Sequence, residues 1–222
     1  MQIIISKKAI AAGFSLMTMA FVSIGHVMAN EKTQSLDLSS FERIVIQKTG
    51  IALDVNVGRD FSVTLKGSEK WLAKIDVNVA DNALVIGRKD GKRKSTNFDS
   101  DNKIIVTMPK FSGLEVNGAV DAHISGVDSD SLAFDVNGAG NIEVKGKCGR
   151  LKVDLNGAGN FSGRGLKCET VAIDINGAGN VEAYGTKSAD LDINGMGNID
   201  LYGNPQEIIK DKSWFSNITI HK

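Results

Sequence analysis

A five-residue unit returns along the C-terminal half of the chain: Asn117 to Asp121 (NGAVD), Asn137 to Asn141, Asn156 to Asn160 and Asn176 to Asn180 (each NGAGN), and Asn194 to Asn198 (NGMGN). The first asparagines lie 20, 19, 20 and 18 residues apart. A near-constant interval of this size marks stacked repeat units. Before each unit the apolar residues alternate: Leu132, Phe134, Val136; Leu151, Val153, Leu155; Val171, Ile173, Ile175; Ala189, Leu191, Ile193. A period of two buries one face of a strand. Shorter strands follow the turns, as in Ile142 to Val144, Val181 to Ala183 and Ile199 to Leu201.

One unit cannot bury its apolar face alone, whereas equivalent strands stacked on one another build a continuous core. The sequence therefore predicts an all-β fold: a right-handed β-solenoid (β-helix-like) of at least five coils of about 19 residues over 111–205. A meander of hairpins is the rival, because Asn-Gly is also a strong hairpin signal. A meander needs no repetition of side-chain identity, so the near-identical motif favours the solenoid. Of 24 glycines, 17 fall between Gly113 and Gly203, and the only two prolines, Pro109 and Pro205, flank that span. Such glycines suit a tight corner repeated coil after coil.

In register, Asn137, Asn156, Asn176 and Asn194 form one amide ladder and Asn141, Asn160, Asn180 and Asn198 a second. Stacked amides can hydrogen-bond along the axis; the functional alternative is a ligand-binding row. Asp135, Asp154, Asp174 and Asp192, preceded by Glu115, form an outward acidic row. Carboxylates one rung apart repel by roughly 1 kcal/mol even in water. The row is either a solvated face that keeps the array soluble, with Lys152 as counter-charge, or a place for a bridging cation. The calcium site of RTX nonapeptides is absent, since its sixth-position aspartate is replaced by Ile142, Phe161, Val181 or Ile199. No metal or cofactor site is expected.

Cys148 and Cys168 each stand eight residues before the next first asparagine. Equivalent positions are one rung, about 4.8 Å, apart, within the reach of a disulfide. The loop closed would contribute roughly 3 kcal/mol in the chain-entropy model.

Lys7 and Lys8, the apolar run from Ala9 to about Val22, and Val27-Met28-Ala29 read as an export signal over 1–29. Export to an oxidising compartment favours the disulfide. Removing two lysines from 26 basic residues leaves 24 against 26 acidic, a charge of −2. That balance argues against nucleic acid as a partner. No later stretch has the ~18 to 20 apolar residues of a transmembrane helix. Residues 30–40 read as a linker, 41–110 as an irregular β portion that adds rungs or caps the array, and 206–222 as a C-terminal cap. Ser68 to Lys74 reads as a short helical turn, Arg88 to Lys94 as a solvated basic loop, and Trp71, Trp214, Tyr184 and Tyr202 as cap or core residues.

Catalytic signatures are wanting: His123 and His221 lack metal spacing and no GxSxG occurs. The repeated units, the closing Gly197 to Pro205 (GNIDLYGNP) and the entry Val106 to Leu114 (VTMPKFSGL) resemble the head GIN domain family, described as autotransporter adhesin heads. The resemblance spans Phe41 to Lys222 as one domain. It implies a β-helical, non-catalytic, envelope- or surface-associated protein, and brings no catalytic or binding residues. The expectation is an exported, periplasmic or secreted/cell-surface, adhesin-like binding or scaffold module for a glycan, an envelope component or a protein. The alternatives are a carbohydrate-active enzyme using the acidic row and a purely structural periplasmic protein that self-associates through its ends.

Overall fold

The computed structural model describes residues 31–91 and 102–222. The export signal and residues 92–101, which include the end of the basic loop, lie outside the described residues. Among the described residues the chain forms β1 (Glu31–Leu36), β2 (Arg43–Val57), β3 (Ser62–Ser68), α1 (Glu69–Leu72), β4 (Ile75–Ala80), β5 (Ala83–Arg88), β6 (Lys103–Met108), β7 (Gly113–Val136), β8 (Ala139–Leu155), β9 (Ala158–Ile175), β10 (Ala178–Ile193), β11 (Met196–Tyr202), β12 (Glu207–Lys212) and β13 (Ser216–Ile220).

Alternation makes the legs of each coil, and the Asn-Gly pair turns them. Leg A ends at the corner, as at Leu151 to Leu155, and leg B follows it, as at Ala158 to Ser162. Parallel pairing stacks leg A from β2 through β7, β8, β9 and β10 to β12, with Asp135 over Asp154, Asp174, Asp192 and Asp211. Leg B stacks from β2 through β7, β8, β9, β10 and β11 to β13. The fold is thus the expected β-solenoid. Its corner also continues beyond the motif: Asn137, Asn156, Asn176, Asn194 and Ser213 each donate a backbone N–H to the last carbonyl of the preceding leg, at 2.8–2.9 Å. Side chains at alternate leg positions, from Ile44 and Leu53 to Ile199 and Leu201, are buried in one core that includes Phe111, Phe134 and Phe161. Phe134 and Phe161 meet edge to face with centroids 4.9 Å apart.

Close approach fixes the glycines at the corner. A Cβ on Gly138, Gly157, Gly177 or Gly195 would collide with the carbonyl oxygen of the glycine one coil below, so only a bare Cα allows backbones to stack there. Coil length varies at the other corner instead, where the β8–β9 register shifts between Glu143 and Gly146 and the β9–β10 register between Glu182 and Ser188. Just beyond that shift Cys148 lies over Cys168, and the two form a disulfide with Cα atoms 4.5 Å apart.

The N-terminal half differs from its sequence reading in one respect. Residues 31–36, expected within a linker, form β1, which pairs antiparallel with β3 from Glu31↔Ser68 to Leu36↔Val63. β3 in turn pairs antiparallel with β6, and β4 with β5. Polar composition hid β1 because an edge strand at the end of a sheet has little apolar surface to bury. The helical turn is present as α1, with the Ser68 hydroxyl accepting from the Trp71 N–H at 3.3 Å. In the expected C-terminal cap, β12 and β13 continue legs A and B.

The corner geometry makes a direct prediction. Gly157→Ala should lower stability by about 1–3 kcal/mol in chemical denaturation, since its Cβ meets backbone that cannot move alone. Ala158→Ser, at the exposed neighbouring position, should change it by no more than about 0.5 kcal/mol.

Candidate functional site

Two outward faces carry the polar rows. On face A, outside leg A, Asp135 and Asp174 alternate with buried residues and precede the corner asparagines. Two of the corner amides, Asn137 and Asn176, serve two partners through their two N–H donors. Asn137 Nδ2 donates to Asp135 at 2.7 Å in its own coil and to Asn117 Oδ1 at 3.3 Å in the coil below. Asn176 does the same with Asp174 at 2.8 Å and Asn156 at 3.2 Å, while Asn156 donates to Asn137 at 3.2 Å. Asn117 donates to Glu115 at 2.6 Å. Asn137 and Asn176 therefore spend both donors on the protein, one of them on the acidic row.

Lys152 adds the one basic side chain that pairs with this row, through Asp154. That ion pair raises the Lys152 pKa, by hydrogen bond and charge together. Partial burial raises the carboxyl pKa of Asp135, with the charges of Asp154 and Glu115 adding to it against the Asn137 hydrogen bond. Asp174 is raised for the same first reason, with Asp192 and Asp154 as its like-charged neighbours.

On face B, outside leg B, the second ladder runs Asn160 to Asn141 at 3.0 Å, Asn180 to Asn160 at 2.9 Å and Asn198 to Asn180 at 2.8 Å. Each of these bonds uses one N–H. Among the described residues no protein acceptor meets the other. Beside the ladder run the exposed methyls of Ala139, Ala158 and Ala178, stacked in register. A shallow groove of about 470 Å³ opens over Val120, Asp121, Ala139, Gly140, Asn141, Ala158 and Gly159.

A second groove on face B, about 350 Å³, is lined by Asp54, Asn56, His123, Ser125, Glu143 and Lys145 among others. His123 stands between Asp54 at 4.0 Å and Glu143 at 3.7 Å, while Lys103 pairs with Asp54 at 3.0 Å and Lys145 with Glu143 at 2.6 Å. The hydrogen bond from Lys145 holds the Glu143 carboxyl below its usual range. This charged cluster escapes a sequence reading because Asp54 and His123 meet through the β2–β7 register, 69 residues apart. No group of three or more metal-ligating side chains capable of holding an ion occurs among the described residues.

Tyr184 and Tyr202 are half-buried on leg B, with Lys167 Nζ 5.9 Å and the Arg164 guanidinium 4.4 Å from their respective ring centroids. His221 stacks on Tyr202 at 4.3 Å and meets Asp200 at 2.7 Å. Trp71 packs against the core, but Trp214, expected in the cap or core, is 98% exposed. Its position is the corner that glycine holds in the coils below, and at the last corner no further coil covers it, which a lone aromatic in the sequence does not reveal.

A repeat β-solenoid with polar outer faces is the class of protein that this geometry defines. The family model "Putative auto-transporter adhesin, head GIN domain" matches residues 40–205, and the chain belongs to that family. Among solved structures it is similar to a "putative adhesin" from Bacteroides fragilis NCTC 9343, with TM-score 0.66 and 23% identity, over 87% of this chain and 98% of that one. It is also similar to a "putative adhesin" from Parabacteroides merdae ATCC 43184, with TM-score 0.48 and 14% identity, over 86% of this chain and 96% of that one. At such identities the likeness is one of fold. No curated protein matches the sequence.

The raised carboxyls give a signed pH dependence. A folded pKa above the unfolded one means that the native state holds the proton more tightly, so the stability contributed below the unfolded pKa is lost as pH rises through the folded value. Asp135→Asn with Asp174→Asn should raise the thermal midpoint at neutral pH. The gain should fade below about pH 4, where the wild-type carboxyls are themselves protonated.

Proposed function

We propose that the protein is an exported, non-catalytic, adhesin-like module of the cell envelope or surface that binds a glycan chain along face B. The observation that carries this reading is the second amide ladder: one uncommitted N–H per coil, repeated about every 4.8 Å beside a strip of exposed methyls. A saccharide chain offers the complement, with hydroxyl acceptors at regular intervals and apolar C–H surfaces between them. Pocket recognition commonly joins a few placed polar groups to apolar lining in this way. Family membership supports the adhesin-like character, and the Cys148–Cys168 disulfide supports an oxidising compartment. Among the described residues no helix is long and apolar enough to cross a membrane.

A carbohydrate-active reading has one observation in its favour, the raised pKa of Asp174 beside Asp154, since glycoside hydrolysis pairs an acid with a carboxylate. The Asn176 and Lys152 contacts of these two aspartates account for the same geometry as ladder support. Binding without turnover on a polysaccharide panel separates the two readings.

The ladder reading predicts a dissociation between binding and stability. Asn160→Ala with Asn180→Ala should weaken glycan retention on an array by at least about tenfold, with each lost hydrogen bond costing about 0.5–1.5 kcal/mol of stability. Asn137→Ala with Asn176→Ala, whose amides are already committed to the acidic row, should cost similar stability and leave retention unchanged. Retention of no glycan, or equal loss in both pairs, would reject face B as the binding surface.

A further inference from the structure

The two ends of the solenoid are finished by different chemistry. At the N-terminal end both sheets turn back on antiparallel strands, β4 and β1. At the C-terminal end leg A stops at β12 and leg B at β13. In β12, Ile208, Lys210 and Lys212 stand over Ala189, Leu191 and Ile193, which are all buried. Two ammonium groups thus occupy positions that are core in every full coil, and both lysines are exposed. Inward lysines on a last strand oppose further strand addition.

The last corner keeps one backbone bond of the turn and replaces the other, since the Gly195 carbonyl accepts from the Ser213 hydroxyl at 2.6 Å where the coils below use a backbone N–H. Ser213 donates its N–H to the Ile193 carbonyl at 2.8 Å, as Asn194 does to Ile175. Pairing of Gly197 with Ser216 then places Trp214 and Phe215 where the coil below has Gly195 and Met196. Trp214 is 98%, Phe215 83%, Ile209 70% and Met196 60% exposed, and with Ile208 these are all the exposed large apolar side chains among the described residues. Scattered exposed apolar residues are ordinary, but their confinement to one end is a directional feature.

We propose that this end docks on an anionic phospholipid bilayer, with Trp214 and Phe215 entering the headgroup boundary and Lys210, Lys212 and Lys222 meeting lipid phosphates. Charge complementarity selects this occupant: Lys210 and Lys212 hold the inward positions of β12 at the open end, while Glu207 and Asp211 alternate onto face A with Asp192. A second copy stacked end to end would bring Lys210 and Lys212 of both molecules together at core positions, which buries like charges without partners. The two aromatics also offer only about 300–500 Å² of contact, short of the roughly 800 Å² per partner of a stable protein complex. A lipid interface meets both terms, since aromatic rings settle at headgroup level and basic side chains add attraction to anionic lipid. Lys212 Nζ, 3.0 Å from the Ser216 carbonyl, holds one of those charges beside the aromatic corner. The inference stands apart from glycan binding on face B.

The test is co-sedimentation of the exported protein, its N terminus fixed by mass spectrometry, with vesicles of phosphatidylcholine alone or mixed with phosphatidylglycerol. Every variant is compared in the same background, so that any apolar leader contributes equally. Expected are binding to the mixed vesicles that falls with added salt, a loss of at least about tenfold in Trp214→Ser with Phe215→Ser, and a loss of about fivefold per lysine in Lys210→Gln and Lys212→Gln. Nitroxide-labelled lipid should quench the tryptophan emission that Trp214→Phe removes, and leave that of Trp71. Circular dichroism confirms that the variants, all at exposed positions, are folded. The proposal is overturned by equal binding of the double aromatic variant, by no binding to either vesicle, or by indifference to the anionic lipid. A concentration-dependent dimer mass that disappears in Trp214→Ser with Phe215→Ser would overturn it in favour of a second copy.

Discussion

Backbone passes over backbone at the asparagine-glycine corner, and the rest of the molecule follows from how close it passes. Gly157 sits over the carbonyl of Gly138, Gly177 over that of Gly157, and Gly195 over that of Gly177, with no room for a Cβ between them. With the corner fixed, the legs on either side leave it in phase. A residue at one leg position lies over its counterpart one coil away, and alternation then divides inward from outward positions throughout the stack. The amide ladders, the acidic row and the disulfide are consequences of that single register. Each places a side chain directly over a like one, which helps amides and cysteines and penalises carboxylates.

The penalty on the carboxylates explains why the two amide ladders differ. Partial burial raises the carboxyl pKa of Asp135 and Asp174, and the charges of the aspartates stacked beside them add to it. Asn137 and Asn176 answer this with their second N–H, at 2.7 Å to Asp135 and 2.8 Å to Asp174. They are thereby committed to the fold. The leg-B asparagines have no carboxylate two residues before them, because Ala139, Ala158, Ala178 and Met196 stand there instead. Their second donor remains outward. Sequence alone shows two rows of the same residue type; only the neighbours of each row separate a structural ladder from a surface able to bind.

What is repeated was legible in the sequence, and what closes the repeat was not. The coils from Asn117 to Asn198, the inward apolar sets and the Cys148–Cys168 pairing all follow from in-register stacking, because neighbours in space are separated by one period in the chain. Variation from 18 to 20 residues did no harm, since the structure absorbs it where the register shifts near Gly146 and Ser188. The N-terminal half has no such rule. Its short strands were visible, but pairing β3 antiparallel to β6 or setting Asp54 beside His123 requires a long-range register that no local pattern encodes. Polar β1 read as linker, although backbone pairing along an edge needs little apolar side chain.

A repeat that stacks by backbone pairing has to be stopped at both ends, since each unpaired edge is a template for another strand. Antiparallel β1 and β4 stop one end by reversing the chain, and Lys210 and Lys212 stop the other by placing charge where a further coil would need apolar side chains. Neither device requires Trp214 or Phe215. A serine or glycine at those corner positions would end the stack as well and would expose less apolar surface. The aromatic corner therefore goes beyond what termination demands, and it sits on the last coil of the stack. Contacts at this end and contacts along the faces can be made at the same time, with the solenoid axis setting the distance between them.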